Sequence, residues 1–187
     1  MNKRKILRVA ITGPESTGKS TLAKKLAKYF NTIWVPEYAR TYIDQLGRPY
    51  EQHDLLEIAK GQIEAEDSLI HEANNLLFCD TELLVIKIWS EYKYGTVDSY
   101  ILSEINIRFY DLYLLLDVDL PWVNDSQREH PENRAYFFGL FEKELKKMGA
   151  NYFVISGGSE SRFNGARKHI ESLLNISKNF KGSLRIP

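Results

Sequence analysis

The sequence predicts an α/β fold, in which helices cover both faces of one parallel, doubly wound sheet of five strands. Three observations support this prediction. Short apolar segments of strand length alternate along the chain with longer segments of helical period. The apolar segments are continuous, which is typical of strands buried on both faces. The chain has 187 residues, which suits one domain of ordinary size.

Five apolar segments are predicted to be strands, and glycine, proline or aspartate ends each of them. They are residues 7–12, 32–36, 76–79, 112–116 and 151–155. The segments between and after them show helical spacing of apolar residues, with glycines at several ends. The predicted helices are residues 19–30, 37–46, 52–74, 82–91, 99–109, 131–148 and 161–176. Residues 177–187 show no period, so we predict a domain over 1–176 and a C-terminal tail over 177–187.

Composition excludes several classes of protein. Acidic and basic residues number 25 each, so a strongly basic surface that binds nucleic acid is not expected. Cys79 is the single cysteine and lies in an apolar run, so it forms no internal disulfide. No segment approaches the roughly 18 consecutive apolar residues of a membrane-spanning helix. The basic N-terminus lacks a signal-peptide cleavage site, so a cytoplasmic protein without a membrane partner is expected. The oligomeric state stays open.

A phosphate-binding loop follows the first predicted strand. Residues 13–20 read GPESTGKS, which satisfies the pattern G-x-x-x-x-G-K-[ST]. In this pattern the backbone N–H groups and the start of the next helix surround a phosphate, and the lysine reaches the β and γ phosphates. The serine hydroxyl binds Mg²⁺, so ATP and Mg²⁺ are the expected cofactors. The candidate nucleotide-binding residues are Gly13, Glu15, Ser16, Thr17, Gly18, Lys19, Ser20 and Thr21. The alternative is a glycine turn with an exposed lysine.

Two acidic residues follow other predicted strands, at the edge of the sheet where ligands of open α/β sheets bind. Glu37 follows the second strand in the segment PEYAR, and a carboxylate there can meet a hydroxyl nucleophile that faces the γ-phosphate. Alternatively, Glu37 complements a helix dipole and Arg40 is its solvated neighbour. Asp80 follows the third strand and can hold Mg²⁺ or bind a substrate hydroxyl. It can also be the N-cap of the helix that starts at Glu82.

The polar segment after the fourth strand is predicted to be a mobile lid over residues 121–134. It reads WVNDSQR over residues 122–128 and continues to Arg134. Arginines such as Arg128 and Arg134 can neutralise charge on a phosphoryl group during its transfer. Alternatively, both arginines are solvated surface residues.

These segments together resemble the nicotinamide riboside kinase domain of the NadR-type proteins of NAD biosynthesis. That family carries G-x-E-S-[ST]-G-K-S, E-Y-x-R, an apolar strand ending in D-T-[DE], and W-V-x-D-x-x-R. The order and spacing match over residues 7–176. The chain departs from the family at Glu82, where an aspartate is usual, and at Leu83 and Leu84, where threonines are usual. The adenylyltransferase and DNA-binding domains of larger members have no room in 187 residues, so the kinase unit alone is expected.

The resemblance implies phosphoryl transfer from ATP to the 5′-hydroxyl of a nucleoside, with nicotinamide riboside as the expected acceptor. It makes Lys19, Glu37 and Arg128 the candidate catalytic residues, with Arg128 and Arg134 as a clamp on the phosphates. Ser20 and Asp80 are the candidate Mg²⁺ ligands. The candidate acceptor residues are Glu37, Tyr38, Arg40, Tyr42, Asp80, Trp122 and Asp125.

Within that set, Trp122 is expected to stack on the pyridinium ring, with Tyr38 and Tyr42 as further candidates. Alternatively, Trp122 is a lid hinge packed on the core. Two other functions stay open: a kinase for another nucleoside or small alcohol, and a nucleotide-dependent switch that signals to a protein partner.

Overall fold

The computed structural model describes the backbone of residues 6–182 and the side chains of residues 6–177. The strands are β1 (Leu7–Thr12), β2 (Ile33–Val35), β3 (Leu76–Asp80), β4 (Leu112–Leu116) and β5 (Tyr152–Ile155). The helices are α1 (Lys19–Tyr29), α2 (Tyr38–Leu46), α3 (Gln52–Leu69), α4 (Leu83–Tyr94), α5 (Ser99–Ile107), α6 (Arg134–Lys147) and α7 (Ser159–Gly182). A 3₁₀ turn, Ile70–Glu72, extends α3.

All five strands pair in parallel, in the order β2-β3-β1-β4-β5, which confirms the predicted sheet. Successive residues of β1 point to opposite faces, as strand geometry requires. Val9 and Ile11 pack in a cluster with α1 and α7, whereas Ala10 packs in a second cluster with α4 and α6. The sheet is therefore covered on both faces, and its central strands β3 and β4 are fully buried, whereas Phe153 and Val154 of the edge strand β5 stay exposed.

The elements occur in the predicted order, but several boundaries were wrong. The last helix continues to Gly182, so residues 177–182 are helical rather than part of a tail. No proline lies between residues 177 and 182, so the backbone hydrogen bonds of α7 can continue through them. Helix α6 begins at Arg134 rather than residue 131, because residues 131 and 132 form a turn. Residues 1–5 and 183–187 lie outside the described residues.

The register of the sheet brings the loops that follow β1, β2 and β3 to one edge. Ile11 pairs with Asp80 across β1 and β3, and Val35 pairs with Cys79 across β2 and β3. Cys79 is buried, as its apolar surroundings predicted. The phosphate loop, Asp80 and the start of α2 thus emerge side by side.

Within residues 6–182, no helix combines the length and apolar character needed to cross a bilayer.

A third apolar cluster joins α2, α3, α4 and α5 beside the same edge. Gly61 on α3 permits this packing, since a Cβ there would lie 2.1 Å from Cε1 of Tyr38. The Tyr38 ring therefore lies against the backbone of α3. This contact fixes the first turn of α2 and with it the position of Glu37, which precedes the helix.

Glu82 connects β1 to the start of α4. One carboxylate oxygen accepts a hydrogen bond from Thr12 Oγ1 at 3.0 Å, and the other accepts from the backbone N–H of Leu84 at 2.7 Å. Glu82, not Asp80, is therefore the N-cap of α4. The side chain is buried, and burial raises its pKa to about 7 despite these two bonds.

This pKa makes stability depend on pH. Because the pKa of Glu82 is higher in the folded chain than the ordinary 4.5, folding favours the protonated carboxyl. Its contribution to stability is fully present below pH 4.5 and is lost as pH rises through about 7. We expect Glu82→Gln to remove this loss, so that the free energies of unfolding of variant and wild type diverge by about 1–3 kcal/mol between pH 5 and 8.

Urea unfolding at both pH values measures this divergence. Glu72→Gln, which neutralises an exposed carboxyl, serves as the control and should follow the wild type. Parallel pH profiles for wild type and Glu82→Gln would contradict the prediction.

Candidate active site

The loop between β1 and α1 has the geometry of an anion-binding nest. Gly13, Ser16 and Gly18 have positive φ angles of 128°, 56° and 85°, which turn the backbone around a central space. Gly13 also passes close to β4, because a Cβ there would lie 2.9 Å from the carbonyl oxygen of Leu116. Helix α1 begins directly after Gly18, so its N-terminal N–H groups face the same space. Thr17 is buried and donates its hydroxyl to the carbonyl of Pro14 at 2.8 Å, which braces the loop.

Lys19 lies across this loop. Its Nζ donates to the carbonyl oxygens of Gly13 at 2.9 Å and Pro14 at 2.8 Å. Burial lowers the pKa of the Lys19 ammonium group, while the carboxylates of Glu37 and Asp80 act in the opposite direction. Lys19, Glu37 and Asp80 are therefore close enough to interact electrostatically.

The residues at the end of β3 fit a metal ion. Asp80 Oδ1 is buried and has no hydrogen-bond partner among the described residues. Burial raises the pKa of Asp80 to about 6, and a hydrogen bond with Ser20 acts against this rise. Within the part of the chain that the structure describes, no group of three or more His, Cys, Asp or Glu side chains could hold a metal. A serine and one carboxylate, completed by phosphate and water oxygens, form the kind of site that Mg²⁺ prefers.

Glu37 and Arg40 occupy the start of α2. Glu37 precedes the helix but makes no capping bond with its side chain, so the carboxylate is free to face the cavity that it lines. Arg40 Nε lies 3.3 Å from Glu37 Oε2, and its Nη1 lies 2.7 Å from Asp125 Oδ2. Arg40 thus connects Glu37 to Asp125 of residues 121–134, while its side chain stays 38% exposed.

Residues 121–133 form no regular element, and they cross over the phosphate loop. Val123 N–H donates to Ser16 Oγ at 2.9 Å. The N–H groups of Glu129 and His130 both lie near Glu15 Oε2, at 3.2 and 3.4 Å. Burial raises the pKa of Glu15, and these two backbone bonds partly offset that rise. Glu15 therefore links the phosphate loop to the predicted lid.

The two predicted lid arginines lie in different places. Arg128 lines the cavity, and its Nη1 lies 3.4 Å from Ser16 Oγ and 2.5 Å from the carbonyl oxygen of Val123. Arg134 donates to the carbonyl of Leu120 at 2.9 Å and approaches that of Ser16 at 3.5 Å. Both guanidinium groups therefore border the phosphate loop, but only Arg128 faces the cavity.

A cavity extends from the phosphate loop toward α3 and α4. Its far end is apolar and aromatic, and it is lined by Tyr50, Leu55, Ile58, Val85, Ile86 and Trp89. The Trp89 ring stacks on His130 of the lid segment, with centroids 5.4 Å apart and planes inclined by 22°. Gln62 and Thr81 add polar groups to its lining. The cavity thus joins an anion site to an aromatic end, with carboxylates between them.

Several predicted acceptor residues, Asp80 among them, do not line this cavity. Trp122 donates its Nε1–H to Asn124 at 2.8 Å and lies 5.7 Å from the guanidinium carbon of Arg134. Tyr38 packs on Gly61, and Tyr42 donates its hydroxyl to Asp54 at 2.8 Å. Asp125 acts through its ion pair with Arg40.

The sequence analysis missed Tyr50, Gln62, Thr81 and Trp89 as lining residues. A signal existed for one of them, because Val85, Ile86 and Trp89 recur at helical spacing just after Asp80, and they share a face directed to the same edge. Tyr50 lies in a loop and Gln62 lies in the middle of a helix, so neither had a pattern that could reveal it.

Comparisons with known proteins agree with this architecture. A family model described as an AAA domain matches residues 8–162. The chain is 35% identical over 152 residues to the trifunctional NAD biosynthesis/regulator protein NadR of Salmonella typhimurium, covering 77% of this chain and 37% of that protein. The chain is also 35% identical over 164 residues to the trifunctional NAD biosynthesis/regulator protein NadR of Escherichia coli. This match covers 83% of this chain and 40% of that protein. The chain therefore spans about two fifths of the length of these relatives.

Two crystal structures of NadR protein share the fold. One, in complex with NAD and AMP-PNP, has a TM-score of 0.76 at 20% identity and covers 90% of this chain and 49% of that chain. The other, in complex with NR, has a TM-score of 0.76 at 22% identity, and the match covers 90% of this chain and 51% of that chain. The P-loop α/β fold and the resemblance to NadR that the motifs indicated are both confirmed. With a family match over most of its length and a nest at residues 13–18, this chain belongs to the AAA domain family of P-loop proteins.

Proposed function

We propose that this protein transfers the γ-phosphoryl group of ATP to the 5′-hydroxyl of a nucleoside, and that nicotinamide riboside is the acceptor. The observation that carries the proposal is the single cavity that connects the phosphate loop to an aromatic end, with Glu37 at its edge. The relatives are named for NAD biosynthesis, and one similar structure is a complex with NR, which supports this choice of acceptor.

The donor side of the site needs positive charge and directed N–H groups. The nest at residues 13–18 and Lys19 would hold the β and γ phosphates. Ser20 and Asp80 would hold Mg²⁺, which neutralises charge on the phosphate oxygens when bound. Arg128 reaches the cavity from the lid segment and would meet the charge that develops during transfer.

Glu37 is proposed as the general base. The 5′-oxygen forms a bond to the γ-phosphorus, the bond from that phosphorus to the β–γ bridging oxygen breaks, and ADP leaves. The hydroxyl proton passes to the Glu37 carboxylate. Arg40 lies 3.3 Å from Glu37 and orients the carboxylate, while its bond to Asp125 ties that orientation to the lid segment. Asp80 is the weaker candidate for this role, since its buried oxygen suits the metal better.

The aromatic end suits a cationic ring. Trp89 and Tyr50 line it, and a pyridinium ring over an aromatic face gains about 0.5–2 kcal/mol. Trp122 lies beside Arg134, outside this lining, so we propose Trp89 in place of Trp122 as the stacking residue.

ADP formation with and without nicotinamide riboside, uridine and thymidine tests the function. ATP hydrolysis that needs no acceptor would indicate a switch, and a clear preference for uridine or thymidine would exclude the proposed acceptor.

Replacement of Lys19 tests the donor site. We expect Lys19→Ala to lower phosphoryl transfer by at least about 100-fold, because it removes the cation that faces the β and γ phosphates. The fold should persist, since Lys19 bonds only to loop carbonyls. ADP release and thermal melting measure these two outcomes. Lys28→Ala, at an exposed position near the end of the same helix, is the control. Near-normal turnover in Lys19→Ala would exclude the loop as the phosphate site.

Replacement of Glu37 tests the base. We expect Glu37→Gln to lower kcat by ~10²–10⁴-fold with little change in the KM for ATP, because the amide keeps the shape but cannot accept the proton. Steady-state kinetics with each substrate varied in turn separates the two constants. Asp80→Asn is the comparison: normal kcat in Glu37→Gln together with a large loss in Asp80→Asn would transfer the base role to Asp80.

The ring site is tested with Trp89→Leu, which keeps apolar packing but removes the aromatic face. A stacking loss of about 1 kcal/mol should raise the KM for nicotinamide riboside about fivefold, with the KM for ATP unchanged. Trp122→Leu is the matched control and should leave the KM for nicotinamide riboside unchanged. The reverse result, in which only Trp122→Leu raises this KM, would restore the stacking role to Trp122.

A further inference from the structure

Thr81 has an unusual backbone conformation. It follows Asp80 at the end of β3 and has a φ angle of 73°, in the left-handed region. This region is unfavourable for a β-branched residue, because its side chain crowds the backbone. Such strain persists only where the surrounding structure imposes it, and it is concentrated at functional sites.

The surroundings do impose this conformation. The Thr81 N–H donates to the carbonyl oxygen of Ile11 at 3.1 Å, which ties it to β1. Its carbonyl oxygen accepts from Nε2 of Gln62 at 3.3 Å. The same Gln62 side chain accepts from the N–H of Tyr38 at 2.9 Å. Thr81 is thus held by β1 on one side and by α2 and α3 on the other.

Among the described residues, no hydrogen bond of the Thr81 side chain offsets this strain. Thr81 is 3% exposed, and its Oγ1 has no hydrogen-bond partner among the described residues. A buried hydroxyl without a partner costs stability, so packing alone does not explain a threonine here. The residue is one of those that line the cavity, together with Gln62, Val85 and Trp89. A hydroxyl can both donate and accept, which suits a sugar hydroxyl.

We propose that Thr81 Oγ1 binds a ribose hydroxyl of the acceptor and makes the protein select ribosides over deoxyribosides. This inference rests on the proposed function. Glu37, Thr81 and Trp89 line the same cavity, so we expect the sugar of a nucleoside with its 5′-hydroxyl at Glu37 and its ring at Trp89 to meet Thr81. Selection follows because an acceptor without the matching hydroxyl leaves the buried Thr81 hydroxyl unpaired.

The test pairs changes in the protein with changes in the acceptor. Thr81→Val removes the hydroxyl but keeps the shape and the β-branch, and Thr81→Ser keeps the hydroxyl. Each is assayed for kcat/KM with nicotinamide riboside and with its 2′-deoxy and 3′-deoxy analogues. We expect the wild type to disfavour one analogue by at least about 10-fold. Thr81→Val should lower kcat/KM for nicotinamide riboside by a similar factor and leave that analogue unaffected, while Thr81→Ser keeps the wild-type preference.

Each other outcome overturns the inference in a recognisable way. If the wild type does not phosphorylate nicotinamide riboside, the proposed function falls and this contact falls with it. If the wild type is active but the Thr81→Val loss is the same for all three acceptors, only the contact falls. A shift of the Mg²⁺ dependence common to all acceptors would place Thr81 at a metal-bound water instead. Thr81→Val should melt within a few degrees of the wild type, and a large loss of Tm would mean that the hydroxyl serves the fold.

Discussion

The close packing of β1 between β3 and β4 is the constraint on which the rest of the site depends. It leaves so little room after Thr12 that the chain must pass Leu116 at Gly13, where a Cβ would come within 2.9 Å of a carbonyl oxygen. The chain then turns through the nest and enters α1. Because β1 and β3 are parallel and in register at Ile11 and Asp80, the carboxylate is carried to the same edge as the nest. The proposed anion and metal sites are thus both consequences of one strand arrangement.

Sequence patterns predicted the features that depend on local order along the chain. The phosphate loop, the strand ends at Glu37 and Asp80, and the lid segment are each set by a short motif and the strand before it. The aromatic end of the cavity was not predicted. Helical spacing places Val85 and Trp89 on one face of α4, but the direction of that face depends on how α4 packs on the sheet. Trp122 illustrates the converse: it belongs to a specific motif, yet its ring faces Arg134.

Charge at this edge is balanced within a small set of groups. Lys19 interacts with the carboxylates of Glu37 and Asp80, and Arg40 joins Glu37 to Asp125 of the lid segment. Glu15 receives two backbone N–H groups from the same segment. A change in the conformation of the phosphate loop is therefore transmitted to residues 121–134 by direct hydrogen bonds. If residues 121–134 act as the predicted lid, this coupling gives a physical reason why they and the loop would respond together to a bound anion.

Two consecutive residues at the end of β3, Asp80 and Thr81, have features that lower the stability of the fold. Asp80 Oδ1 and Thr81 Oγ1 are consecutive, buried and without partners among the described residues, and Thr81 has in addition a strained φ angle. Glu82, the next residue, has both oxygens satisfied by Thr12 and Leu84. The contrast lies in the surroundings, since Thr81 lines the cavity and Asp80 interacts with Ser20 and Lys19, whereas Glu82 caps a helix. Two consecutive buried polar atoms without hydrogen bonds, at the edge of the sheet that holds the phosphate loop, are best explained by partners that arrive with a ligand.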